Sequence, residues 1–82
     1  MKLLVGVLLS CSLLFAMVDI NHADSKELTS LKGIGKSKAE KIIEYRKSNG
    51  CFKSINELVN VKGIGKGIVT KNESQMKITS CK

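Results

Sequence analysis

The sequence ELTSLKGIGK at residues 27–36 recurs thirty positions later as ELVNVKGIGK at residues 57–66, with seven of the ten positions identical. Leu31 and Val61, at equivalent positions, add a conservative substitution. Such a repeat within so short a chain indicates a duplicated structural unit. Each copy has two apolar residues three positions apart before its Gly-Ile-Gly segment, so it predicts a short helix, a tight turn and a second helix.

The residues before each copy have the form of a capping box. In this motif a side-chain oxygen accepts an early backbone N–H of the helix, and a glutamate three residues later reaches back. Asp24 precedes Glu27 in the first copy, and Ser54 precedes Glu57 in the second. Both copies are therefore predicted to begin with a capped helix.

The glycine turns are predicted to separate the two helices of each copy. Gly33 and Gly63 are expected to end the first helices, because glycine reaches positive φ without a steric penalty. Ile34 and Ile64 stand between glycines and are expected to anchor the turns in the core. Each copy then continues directly into its second helix.

The second helices differ in predicted strength. Residues 37–48 place Ala39 and Ile42 at helical spacing, with a net basic exposed side. The later helix contains Gly67 and β-branched residues, which lower helix propensity. Asn72 also stands where the first copy has Ile42. The second unit is therefore expected to be looser than the first.

The turns also predict anion binding. A helix that begins at such a turn has backbone N–H groups without intrahelical acceptors, at the positive end of its dipole. Two such turns, related by a pseudo-two-fold axis and flanked by lysines, would hold phosphates of both strands of a duplex without reading its bases. The candidate residues are Lys32, Gly33, Ile34, Gly35, Lys36 and Ser37 in the first copy, and Lys62, Gly63, Ile64, Gly65, Lys66 and Gly67 in the second.

Composition restricts the function further. The chain has 82 residues, 14 Lys plus Arg against 7 Asp plus Glu, and a net charge of +7. It is too short for a dinucleotide-binding sheet, an α/β hydrolase or a barrel, and its charge favours nucleic acid or, less often, an anionic membrane surface. The single histidine, His22, has no partner at ligand spacing, and no nucleophile–base pair is recognisable. We therefore expect no enzyme activity, no cofactor and no metal.

Residues 1–16 are expected to lie outside the domain. One basic residue followed by an apolar run is typical of a secretory signal peptide, with cleavage after Ala16. Cleavage would leave a domain at residues 17–82 with a net charge of +6, in the periplasm or exported. Two other interpretations stay open: a retained membrane anchor formed by residues 3–18, and a lipoprotein modified at Cys11.

Two cysteines, Cys51 and Cys81, remain after cleavage. An even pair in an exported protein predicts a disulfide. Closing a loop of about 30 residues would add about 3.5–4 kcal/mol on the chain-entropy model. Two free thiols in a reducing compartment are the alternative.

Over about residues 18–78 these motifs resemble the ComEA-type competence proteins. The resemblance implies an all-α tandem helix-hairpin-helix fold, in which two pseudo-symmetric hairpins share one small core. It also implies sequence-independent binding of double-stranded DNA outside the cytoplasmic membrane, as a receptor and Brownian ratchet for DNA uptake in natural transformation. DNA-uptake channel or pilus components are candidate further partners. The residues that carry the resemblance are Ile20 to Ala23, Glu27, Leu28, Leu31 to Gly35, Ala39, Ile42 to Arg46, Asn49, Gly50, Phe52 and Leu58 to Gly65.

The chain also departs from this family. Family hairpins often have proline where this chain has Lys32 and Lys62, which adds charge. Longer members carry a membrane anchor and linker, and this chain resembles a minimal exported form. Two other functions stay open: an exported DNA-binding accessory of a nuclease system, and a protein–protein adaptor built from tandem hairpins.

Overall fold

The computed structural model describes residues 17–81, so the predicted signal peptide at residues 1–16 lies outside the described residues. Helices dominate the described part, which confirms the predicted all-α tandem helix-hairpin-helix fold. In chain order the elements are strand β1 (Val18–Asp19), helix α1 (Ser25–Leu28), helix α2 (Lys36–Asn49), a 3₁₀ helix (Ile55–Asn60), helix α3 (Lys66–Asn72), a 3₁₀ helix (Glu73–Gln75) and strand β2 (Met76–Lys77).

The two sequence copies have the same pattern of burial. From Leu31 to Ile42 and from Val61 to Asn72, buried and exposed positions follow each other in identical order. Ile34 and Ile64 are each only 3% exposed, which confirms that they anchor the turns in the core. The shared pattern means that both hairpins contribute equivalent faces to one apolar core.

The backbone of the turns confirms one prediction and corrects another. Gly33 has φ of 80° and Gly63 has φ of 90°, in the left-handed region that favours glycine. Helix α1 nevertheless ends at Leu28, well before Gly33. Backbone bonds from Ser30 N–H to Glu27 O and from Leu31 N–H to Leu28 O continue the chain as single turns. Gly33 therefore shapes the hairpin turn and does not end the helix.

Only the first predicted capping box forms. Glu27 N–H donates to Asp24 Oδ1 at 2.8 Å, and Asp24 N–H donates to Glu27 Oε1 at 3.1 Å. The second prediction is wrong, because the Ser54 side chain makes no capping bond and the segment is a 3₁₀ helix. The Glu57 carboxylate instead accepts the N–H of Lys53 at 3.0 Å, one residue upstream of the expected donor.

The connector between the hairpins lies in the core. Phe52 is 1% exposed and stacks on Tyr45 with ring centroids 5.1 Å apart, which confirms its predicted burial. Arg46 Nη1 donates to the carbonyls of Ile20 and Ala23, each at 2.9 Å. The guanidinium thereby fixes the segment before α1 against α2.

The two ends of the domain pair with each other. Strand β1 runs parallel to β2, with Val18 opposite Met76. The buried amide of Asn21 accepts the N–H of Phe52 and donates to the carbonyls of Phe52 and Thr79, over 2.8–3.0 Å. This bonding joins three segments that are remote in sequence, and no sequence pattern predicted it.

The predicted cysteine pair is brought together by the same packing. The Cα atoms of Cys51 and Cys81 are 6.2 Å apart. A disulfide spans Cα separations of about 4.4–6.8 Å, so the backbone accommodates the bridge without movement. The disulfide itself stays a prediction.

The second hairpin is shorter than the first, but it is not loose at Asn72. Helix α3 has 7 residues against 14 in α2, in line with its lower helix propensity. Asn72 is 1% exposed, and its side chain makes three hydrogen bonds. The expectation that this residue weakens the hairpin is therefore wrong, because every polar atom of its amide group is paired. Within residues 17–81 no helix has the length and apolar character needed to cross a membrane.

Candidate nucleic-acid interface

The first turn presents a set of backbone donors to solvent. Gly35 is the N-cap of α2 and has no side chain to cap the helix. The Ala39 N–H donates to Gly35 O at 2.9 Å and closes the first helical turn. The N–H groups of Lys36, Ser37 and Lys38 precede this bond and have no intrahelical acceptor. They are available to an anion.

The second turn repeats this arrangement on a shorter helix. Gly65 caps α3 without a side-chain bond, and Val69 N–H reaches Gly65 O at 3.3 Å. A Cβ atom built on Gly35, Gly65 or Gly67 would meet nothing within 4 Å. The approach to both helix starts is therefore sterically open.

The charge around both turns favours an anion. No acidic residue lies in the first turn of α2 or α3, so the positive ends of these helices are not neutralised by their own side chains. The four predicted turn lysines are all exposed: Lys32, Lys36, Lys62 and Lys66. Ile34 and Ile64 are buried instead, so their contribution is to hold the turns in place.

Each turn packs against the second helix of the opposite hairpin. A Cβ atom on Gly33 would lie 3.5 Å from Ile68 Cγ1, and one on Gly63 would lie 3.6 Å from Lys38 Cε. The two turns and the starts of α2 and α3 therefore form one cluster. The predicted candidate residues of both copies are brought together in it.

Sequence reasoning missed Lys38 as a member of this cluster. Its aliphatic stem packs on Gly63, so its ammonium group belongs to the surroundings of the second turn although the residue lies in α2. Alignment of the two copies places Lys38 opposite Ile68, and this difference within the repeat was the available signal.

A separate polar cluster lies at the paired ends of the chain. His22 Nδ1 lies 2.8 Å from Asp19 Oδ2, and the Thr79 hydroxyl donates to the same carboxylate oxygen. Burial alone would raise the pKa of Asp19, but hydrogen bonds from Thr79, His22 and the Asn21 backbone lower it to about 2. Nowhere in residues 17–81 do three or more His, Cys, Asp or Glu side chains converge as metal ligands.

Two helical hairpins with Gly-Ile-Gly turns, packed crosswise on one core, define a tandem helix-hairpin-helix protein. The chain belongs to the helix-hairpin-helix family, whose motif model matches residues 15–77. It is 43% identical over 63 residues to ComE operon protein 1 of Bacillus subtilis, which confirms the resemblance to the ComEA-type proteins. That alignment covers 77% of this chain and 31% of the Bacillus protein.

Other relatives share the same region within different proteins. An uncharacterized protein of Haemophilus influenzae is 42% identical over 60 residues, which cover 72% of this chain and 54% of that protein. The human endonuclease/exonuclease/phosphatase family domain-containing protein 1 is 39% identical over 64 residues, covering 78% of this chain and 10% of the human protein. The chain thus spans about a third to a half of the two bacterial relatives.

Proposed function

We propose that this protein binds double-stranded DNA without sequence preference by holding backbone phosphates at its two Gly-Ile-Gly turns. The observation that carries the proposal is the crosswise packing of the two turns, which collects both open helix starts in one cluster. Free N–H groups at a helix start bind phosphate, and the exposed turn lysines add charge. Because neither donor type distinguishes bases, affinity is expected to be independent of sequence.

The biological role that we propose is DNA uptake during natural transformation, with the protein acting as a receptor and ratchet outside the cytoplasmic membrane. Its support is the 43% identity to ComE operon protein 1 together with the predicted signal peptide at residues 1–16. DNA-uptake channel or pilus components would receive the bound DNA. The proposed activity is binding, without catalysis of a reaction.

A second candidate is a DNA-binding accessory of a nuclease system. The relatives whose names include endonuclease/exonuclease/phosphatase family domain favour it, since they contain this same region within much longer chains. Both candidates require duplex binding, so DNA affinity alone does not separate them. Deletion of the gene separates the two candidates. Loss of DNA uptake into the periplasm supports the first role, and unchanged DNA uptake contradicts it.

The binding proposal is tested by mobility shift of two unrelated duplexes. If about four to six phosphates are neutralised, log affinity should fall with log salt at a slope of about −4 to −5. Equal competition by both duplexes is expected. A slope near zero, or a strong preference for one sequence, contradicts the proposal. Failure to retain duplex DNA at low salt favours the adaptor function instead.

A charge-matched pair of variants tests where the DNA binds. Gly35→Glu with Gly65→Glu places carboxylates at both helix starts, where a Cβ meets nothing within 4 Å. This double variant should no longer retain duplex DNA in the mobility shift. Lys47→Gln with Lys53→Gln changes the net charge by the same amount at exposed positions outside the turns. This control should weaken binding only slightly, and equal losses in both variants would contradict the turn sites.

The predicted export is tested by intact-mass measurement of the secreted protein. Cleavage after Ala16 gives a chain that begins at Met17. A mass that retains residues 1–16 supports the membrane anchor, and a lipid adduct at Cys11 supports the lipoprotein.

A further inference from the structure

Asn72 connects the second hairpin to the first turn. Its Oδ1 accepts the N–H of Lys32 at 2.8 Å, and its Nδ2 donates to Lys32 O at 2.8 Å and to Ile68 O at 2.9 Å. The side chain is 1% exposed. One amide group from α3 therefore holds both backbone polar groups of Lys32, forty residues away in sequence.

The second turn has no equivalent bond. The position that corresponds to Asn72 in the first copy is Ile42, which has no hydrogen-bonding side chain. No side chain within residues 17–81 donates to or accepts from the Lys62 backbone, and Lys62 instead borders an open groove along α2. The pseudo-symmetry of the two hairpins is therefore broken where each turn begins.

We propose that Asn72 is a positioning residue that fixes the first turn in its DNA-binding conformation, so that the first turn is the preorganised phosphate site of the pair. This inference rests on the proposed binding of duplex DNA at the turns. It assigns control of the first site to a residue of the second hairpin.

The physical basis is restriction of two peptide planes. The Lys32 N–H belongs to the peptide before this residue, and its carbonyl belongs to the peptide shared with Gly33. With both groups held by Asn72, neither plane can rotate without breaking a hydrogen bond to this buried side chain. Gly33 at φ of 80° would otherwise have wide conformational freedom. A turn fixed before binding loses less entropy when it takes up a phosphate.

Double-mutant cycles with duplex DNA test the proposal. Asn72→Leu removes all three bonds at similar volume and should weaken binding about three- to tenfold, since the first turn must then be ordered when the phosphate binds. The loss of DNA affinity caused by Lys36→Gln, at the first turn, should be smaller in the Asn72→Leu variant than in the parent protein. The loss of DNA affinity caused by Lys66→Gln, at the second turn, should be the same in both backgrounds.

The cycle distinguishes positioning from a local structural role. Asn72 lies in α3, so a residue that merely stabilised this helix would couple to Lys66 and leave Lys36 unaffected. Coupling to Lys66, or additivity with both lysines, overturns the proposal. Asn72→Ile, which copies the residue at position 42, is the second variant if Asn72→Leu does not fold.

Amide hydrogen exchange of the DNA-free protein supplies a readout that does not depend on binding. Asn72→Leu should accelerate exchange at Lys32 about tenfold or more relative to the α2 amides, because its acceptor is lost. Unchanged exchange at Lys32 overturns the proposal whether or not DNA binds. Absence of DNA binding by the parent protein instead overturns the proposed function, and the site assignment with it.

Discussion

Replacing Gly35 by alanine separates DNA contact from folding, because the two glycines of the first turn have different backbone conformations. Gly35 has φ of −95°, which any residue adopts, and an added Cβ meets nothing within 4 Å. Alanine is a poorer N-cap than glycine, which lowers the free energy of unfolding by about 0.5 kcal/mol. It also restricts the unfolded chain, which raises the free energy of unfolding by about 0.4–1 kcal/mol and offsets this loss. We therefore expect the melting temperature to stay within about 4 °C of the parent.

The DNA affinity of the Gly35→Ala variant should nevertheless fall about tenfold. The added methyl group would fill part of the open space beside Gly35, where the proposal places a phosphate, and tenfold corresponds to about 1.4 kcal/mol, roughly one hydrogen bond to a charged oxygen. Mobility shift at one fixed salt concentration measures the change. An affinity equal to that of the parent would refute the placement of phosphate at this helix start.

Gly33→Ala is the matched comparison. At φ of 80° an alanine is strained by about 1–2 kcal/mol, although its Cβ would be in ordinary contact with Ile68 at 3.5 Å. The melting temperature should fall by about 4–8 °C for each kcal/mol lost. If Gly35→Ala lowers stability as much as Gly33→Ala, its loss of affinity cannot be assigned to the missing contact.

Three further predictions concern stability. Hydrogen bonds lower the pKa of Asp19 to about 2 from an ordinary 3.8, so ionised Asp19 should stabilise the folded protein by about 2 kcal/mol. This stabilisation should be complete above pH 3.8 and lost as the pH falls through 2. In thermal melts Asp19→Asn should flatten the dependence of melting temperature on pH, and the same dependence in the variant and the parent would contradict the prediction. Mass spectrometry of an unreduced digest should find the Cys51 and Cys81 peptides linked, and replacing both by serine should cost about 3.5–4 kcal/mol; two unlinked peptides would refute the bridge. Gly67→Ala should raise stability by about 0.5–1 kcal/mol, since this exposed glycine lies within α3 and an added Cβ meets nothing within 4 Å, and a lower melting temperature would contradict this.

The repeat was sufficient to predict the two hairpins, because it encodes local geometry twice. The spacing of Leu28, Leu31 and Ile34 reappears thirty residues later, and both sets are buried. Positive φ at the first glycine of each turn follows from the same local chemistry. Features set by near neighbours in sequence were therefore open to prediction.

Features that depend on residues distant in sequence could not be predicted in this way. Strands β1 and β2 have two residues each, too few for an alternating pattern to be recognised, and they pair Val18 with Met76 across the whole domain. Asn72 was misjudged for the same reason. Helix propensity considers α3 alone, where asparagine is unfavourable, whereas the residue bonds to the backbone of Lys32.

The buried polar residues of the described domain also have a common role. They are Asn21 and Asn72, and each bonds to backbone groups at least 31 residues away. Apolar contacts hold the two hairpins together but do not fix one hairpin in a single position against the other, since they are not directional. Hydrogen bonds have a preferred geometry, so they can fix the position of one hairpin against the other. Asn72 supplies such bonds between α3 and the first turn, and the coupling between Asn72 and Lys36 measures how much they preorganise that turn for binding.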